Sequence, residues 1–239
     1  MNAFRFDGKT VLVTGAAGNL GKAVGAAFYA AGANIALVDL DSEHLRAAWE
    51  GNAPRRVLLA ADLLDEGSIA SAAAAAREKF GAIDVLCNIA GGFASGPPVH
   101  EMPTALWHRM FDLNATSVVH AVKAVVPGMI ARKSGNIVNV AAAASVRGQA
   151  GMAAYAAAKN AVVRLTESMA VELRPDGIFV GCVMPTIIDT PQNRAAMPNA
   201  DWSNWTPPAS IAEIILFLAS NHAMIATGCS IPLAGGPRV

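Results

Sequence analysis

The feature that most restricts the fold of this chain is an alternation repeated along nearly its whole length. Short apolar, β-branched runs are separated by alanine-rich stretches long enough for helices. Residues 10–14, 34–38, 56–60, 85–87, 136–140, 178–183 and 230–232 are hydrophobic without polar alternation, as strands covered on both faces must be. Between them, roughly residues 19–31, 65–80, 104–131, 151–173 and 209–220 have helical length and composition. Gly32, Gly81 and Pro175 stand where three of these helices should stop. Strand and helix in alternation predict an α/β fold, a single-domain doubly wound parallel sheet of the Rossmann type with helices on both faces. With 239 residues, 54% of them apolar, the chain can bury one large core, and no internal repeat or second domain is evident.

Lys plus Arg and Asp plus Glu number 18 each, so nothing steers the chain toward a polyanion and nucleic acid is not an expected partner. The opening MNAFRFDGKTVLVTG carries Arg5, Asp7 and Lys9 and lacks the apolar stretch of a signal peptide, which points to a cytoplasmic protein. Apolar runs are interrupted by Gly, Pro or charge before the ~20 residues needed to cross a bilayer, so no membrane segment is expected. Cys87, Cys182 and Cys229 are isolated in apolar surroundings and the histidines lack zinc-ligand spacing, so neither disulfides nor a metal are expected.

Directly after the first strand comes Thr14-Gly15-Ala16-Ala17-Gly18-Asn19-Leu20-Gly21, leading into a helix. Glycines at 15, 18 and 21 permit a tight turn and bring backbone N–H groups, together with the helix's positive end, to a pyrophosphate. Asp39, followed by Leu40, ends the second strand where a carboxylate can accept hydrogen bonds from ribose hydroxyls. No Arg or Lys in the loop or in Asp39-Leu40-Asp41 could neutralise a 2′-phosphate, so the expected cofactor is NAD and not NADP.

With these residues the chain resembles the short-chain dehydrogenase/reductase family, from about Phe6 to Gly236. Asp62, with Leu63 beside it, matches the family's adenine-contacting position, and Asn88-Ile89-Ala90-Gly91 matches its Asn-Asn-Ala-Gly turn. Asn114 stands where the family keeps an active-site Asn, Tyr155 and Lys159 form its Tyr-x-x-x-Lys motif, and Pro185-Thr186-Ile187-Ile188-Asp189-Thr190 resembles its nicotinamide-holding segment. There are three departures. Gly18-Asn19 replaces another residue followed by Gly, Thr186 replaces the glycine after Pro185, and Ala142 stands where the family has its catalytic serine. The resemblance implies a homotetramer packed through the helices at 104–131 and 151–173. A narrower likeness, strongest from Asp189 to Pro207, is to dihydropteridine reductases, a subgroup that also lacks the serine.

Tyr155 and Lys159 are four residues apart on a helix, so both project from one face. An ammonium beside a phenol should lower its pKa, and the pair is expected to exchange the proton while hydride moves between NAD(H) and a small carbonyl or alcohol substrate. Asn114, by resemblance, would hold a water linking Lys159 to solvent. Loss of a preorganised oxyanion donor typically costs ~10² to 10³ in rate. Ser145 or Gln149, near Ala142, are therefore candidate replacements, or else the substrate is a quinonoid imine that needs less polarisation. A non-catalytic NAD sensor is the remaining alternative. Residues 186–208, rich in Pro and Asn and holding Trp202 and Trp205, form a candidate substrate lid.

Overall fold

A computed structural model describes residues 4–236 of the chain. All seven expected strands form: β1 (Thr10–Thr14), β2 (Asn34–Asp39), β3 (Arg56–Ala60), β4 (Val85–Asn88), β5 (Gly135–Val140), β6 (Ile178–Pro185) and β7 (Ser230–Leu233). They pair in parallel in the order β3-β2-β1-β4-β5-β6-β7, with Leu12 of β1 in register with Ala36 of β2 and Leu86 of β4. The order reverses between β1 and β4, and it is outside the carboxyl ends at such a reversal that open α/β sheets leave a crevice.

The helices are α1 (Asn19–Ala30), α2 (Ser42–Trp49), α3 (Glu66–Phe80), α4 (Thr104–Phe111), α5 (Ser117–Arg132), α6 (Ala153–Leu173), α7 (Pro191–Ala196) and α8 (Pro208–Leu218). Successive strand residues point to opposite faces, and both faces are covered. Val11, Val13, Ile35 and Leu37 pack with Val24 and Phe28 of α1 and Ile211 and Ile215 of α8. Leu12, Ala36 and Leu86 pack on the other face with Ile69 and Ala73 of α3, Val125 and Met129 of α5 and Met169 of α6. Burying a side chain as large as Phe28 or Met129 stabilises by roughly 1.5–3 kcal/mol, and the small alanines of α3 and α6 allow those helices close to the sheet.

Two helices were not expected from the sequence. Asp41 starts α2 by accepting the N–H groups of Glu43 and His44, and Thr190 starts α7 by accepting that of Asn193. The long helix expected at 104–131 is interrupted: residues Asp112–Thr116 form a π turn between α4 and α5. By length and composition alone the helix from Thr104 to Arg132 is long and apolar enough to cross a membrane, a test that a buried core helix also passes. In the fold it sends Met110, Val118, Ala121, Val125 and Met129 into the protein core.

Candidate active site

A cleft of about 680 Å³ opens at the carboxyl edge where the strand order reverses. It gathers most of the residues expected to hold a cofactor: Gly15, Gly18, Asn19, Leu20 and Gly21 from the first turn, Asp39 and Leu40 after β2, Asp62 and Leu63 after β3, Ala90 and Gly91 after β4, and Ile188 and Thr190 after β6. His44, Ala61, Leu64, Ile89, Leu113, Ser117 and Asn193 line it too and were missed. Ile89 and Ala61 adjoin quoted motifs. His44 and Ser117 lie on helices whose facing the sequence pattern does not reveal.

The glycine turn is built by close approach. Gly15 has φ +64°, and a Cβ on it would lie 2.8 Å from the Ala90 backbone. A Cβ on Gly21 would lie far inside contact distance of the Gly15 carbonyl. Both positions require glycine. Trp49 of α2 supports the turn from beneath, its indole N–H donating to the Ala16 carbonyl at 2.9 Å. At the start of α1 no side chain caps the helix and no acidic residue occupies the first turn, so these amides remain available to an anion. Asp39 accepts the Ala17 N–H at 2.9 Å and the Leu40 N–H at 2.8 Å, which fixes its carboxylate between the turn and the cleft. No Arg or Lys is among the lining residues. These groups fit a dinucleotide: amides for its pyrophosphate and an oriented carboxylate for a ribose.

Asn88 lies beneath the cleft, not in its wall. It is buried, and its amide donates to Asn139 Oδ1, whose own amide donates to the Thr166 hydroxyl, tying β4 to β5 and α6. Pro185 is buried at the end of β6 and Thr186 is exposed beside it, neither reaching the cleft wall.

Beside the cleft lie Tyr155 and Lys159. Lys159 is buried and its ammonium donates to the Val140 carbonyl at 2.9 Å. A Cβ on Gly91 would lie 2.7 Å from Asn114 Oδ1 and 3.1 Å from Lys159 Nζ, so both side chains converge on that glycine. Tyr155 packs edge-on against Phe93, with ring centres 5.0 Å apart, and its hydroxyl makes no hydrogen bond to the protein among the described residues. It is therefore free to meet a substrate.

Two expectations require correction. The first concerns the acidity of the phenol: among the protein's own groups, burial pushes Tyr155 up to about 12 and pulls Lys159 down to about 8, with the neighbouring Cys182 only a smaller opposing influence on the lysine. The ammonium is spent on the Val140 carbonyl, and desolvation of the phenolate outweighs any attraction to it. Asn114 is engaged within the protein. Both of its amide hydrogens are taken, by the carbonyls of Gly92 and Met110 at 2.9 Å each, and its oxygen accepts the Gly92 N–H. Its carboxamide braces the π turn to the Gly91–Gly92 loop. Finally, Ser145 does not replace the missing serine. Its hydroxyl turns inward and donates to the Ala142 carbonyl at 2.6 Å, while Gln149 is exposed on the outside of the loop. Ala142 itself is buried, in extended backbone, just beyond β5.

Comparison with known proteins agrees with this geometry. The family model described as short chain dehydrogenase matches residues 9–201. A 2-(R)-hydroxypropyl-CoM dehydrogenase of Xanthobacter autotrophicus is 32% identical, the match covering 95% of this chain and 97% of that enzyme. A 3-oxoacyl-[acyl-carrier-protein] reductase of Thermotoga maritima is 31% identical over 97% of this chain and 98% of its own. Among solved structures, NAD+-bound xylitol dehydrogenase superposes with a TM-score of 0.89 at 29% identity, covering 97% of this chain and 99% of that one. Levodione reductase also superposes with a TM-score of 0.89, at 30% identity, covering 97% and 98%. With its seven-stranded parallel sheet, its glycine turn and its tyrosine and lysine beside one cleft, the chain belongs to the short-chain dehydrogenase family of oxidoreductases.

Proposed function

We propose that the chain is an NAD(H)-dependent oxidoreductase acting on a small carbonyl or alcohol, with Tyr155 as general acid and base. The observation that carries this is the convergence of α1's uncapped amides, the Asp39 carboxylate and the Tyr155–Lys159 pair on adjoining parts of one crevice. The amides of the glycine turn would take the pyrophosphate, Asp39 the adenosine ribose, Asp62 and Leu63 the adenine, and Ile188 and Thr190 the nicotinamide end. The absence of Arg and Lys from the cleft wall favours NAD over its 2′-phosphate. When bound, NAD(H) supplies or accepts the hydride.

The protein's part is proton movement and exclusion of water. For reduction, a phenol held protonated by burial is already in the donor form, and its unengaged hydroxyl can donate to the substrate heteroatom. Lys159, with a pKa of about 8, can restore that proton near neutral pH. Alcohol oxidation asks more of the site, because the phenol must first lose a proton that burial holds tightly. Carbonyl and alcohol substrates are supported by relatives named as a hydroxypropyl-CoM dehydrogenase and an oxoacyl reductase.

A second substrate class is favoured by one feature. With Ala142 lacking a hydroxyl and the Ser145 hydroxyl donating to the Ala142 carbonyl, neither of these residues offers a carbonyl a donor. An imine of the dihydropteridine type protonates readily and needs no such donor. A screen of NADH oxidation with ketones, sugars, oxoacyl thioesters and quinonoid pterins tests both classes. Tyr155→Phe should lower turnover of the best substrate at least ~10²-fold. Ala142→Ser should accelerate ketones ~10-fold or more if the missing donor limits them, and leave imines unchanged. Parent-level turnover by Tyr155→Phe refutes the mechanism.

We further propose a homotetramer packed through α5 and α6, on which Val119, Ile130 and Val171 are exposed.

A further inference from the structure

Two of the three departures from the family pattern carry side chains that reach the same segment. Asn19, at the start of α1, replaces a glycine, and its amide donates to Gln192 Oε1 on α7 at 2.7 Å. Thr186 replaces the glycine after Pro185, and its hydroxyl lies 3.2 Å from that of Thr206. Glycine at either position would have no side chain to make these contacts.

Residues 186–208 are strongly braced from within. Ile188 and Thr206 form a parallel bridge, and the Asp189 N–H donates to the Thr206 carbonyl at 2.9 Å. Arg194 donates to both oxygens of Asp189, at 2.6 and 2.7 Å, and lies over the Trp202 ring at 4.6 Å. The Trp202 indole N–H donates to the Met197 carbonyl at 3.0 Å. Such a segment moves as one piece. Its base is tied to β7 through the Thr186 N–H and the Leu233 carbonyl. Among the described residues, Asn19–Gln192 is the only hydrogen bond between this segment and the glycine turn, and it spans a cleft walled on the segment's side by Ile188, Thr190 and Asn193.

We propose that Asn19 pins this segment at its tip while the Thr186–Thr206 contact holds its two ends together, so that it stands closed across the dinucleotide and sets the rate at which coenzyme leaves. The inference rests on the dinucleotide binding proposed above. Both contacts are tested from the segment's side, with Gln192→Ala and Thr206→Val, which leave the glycine turn intact. Two measurements are made: NADH release by stopped-flow displacement, and trypsin cleavage after Arg194 in protein without coenzyme. A net hydrogen bond of ~1 kcal/mol corresponds to about a fivefold change. Each single variant should therefore release NADH about five times faster, the double variant about twenty-five times faster, and all three should be cut faster after Arg194. Asn19→Gly added to Gln192→Ala should speed cleavage no further, since the two residues form one contact. Parent-like release and cleavage in the double variant would overturn the proposal. If the parent binds no NADH, the dinucleotide assignment falls, and the cleavage measurement alone decides whether the segment is pinned.

Discussion

The burial of Lys159 costs the fold stability. Taking an ammonium with an ordinary pKa of 10.5 down to about 8 means that burial opposes its charged form. Below pH 8 the folded and unfolded chains both hold the proton, and the folded state carries the full cost. Between pH 8 and 10.5 the folded chain has released it while the unfolded chain has not, so stability rises with pH, by up to ~3 kcal/mol. Tyr155 acts with the opposite sign, but only above pH 10 and up to about 12. Burial also holds the thiols of Cys87, Cys182 and Cys229 protonated, which lowers stability over the same range in any variant that keeps them. In urea denaturation between pH 7.5 and 10 the stability of the parent should therefore change more positively with pH than that of Lys159→Met; equal slopes in the two proteins would refute the assignment. That Tyr155 and Lys159 share a face was legible in the sequence, because their spacing on a helix determines it, whereas Asn114 came from the family resemblance alone. What their hydrogens do was not legible. The inward turn of Ser145 depends on the backbone path after Ala142, and the engagement of Asn114 depends on where the loop after β4 passes.

Secondary-structure elements divide in the same way. The strands were readable to within one or two residues because parallel, doubly covered strands must be continuously apolar. Helix α2 was missed because it is short and largely polar, although Asp41 stands as its N-cap. The π turn at Asp112–Thr116 has no local signature; the bonds from Asn114 to Met110 and to Gly92 set it in its tertiary context. The unanticipated α2 also has a consequence for the cofactor turn. Trp49→Phe removes the donor to the Ala16 carbonyl, a backbone group inside the turn, at an expected cost of ~1–3 kcal/mol. The urea midpoint should fall and the Kd for NADH should rise together; a lower midpoint with unchanged NADH affinity would show that Trp49 serves packing alone.

At the scale of the whole molecule, the sheet order decides where ligands can act, because every loop that lines the cleft leaves a carboxyl strand end or starts a helix beside one. A ligand that binds only the folded chain stabilises it by ~2.7 kcal/mol at a concentration 100 times its Kd. NADH should therefore raise Tm by several degrees at millimolar concentration, and NADPH should raise it less, since Asp39 and a wall without Arg or Lys oppose a 2′-phosphate. An equal or larger shift with NADPH would reverse the cofactor assignment.

The separation of the cleft's walls along the chain has a kinetic corollary. Residues 15–21 and residues 188–193 face one another only after β1 and β6 have both found their places in one parallel sheet, and such long-range pairings form slowly. Neither half of the chain can shape the crevice alone. A refolding polypeptide thus regains its hold on coenzyme late, after most of its helical signal has returned.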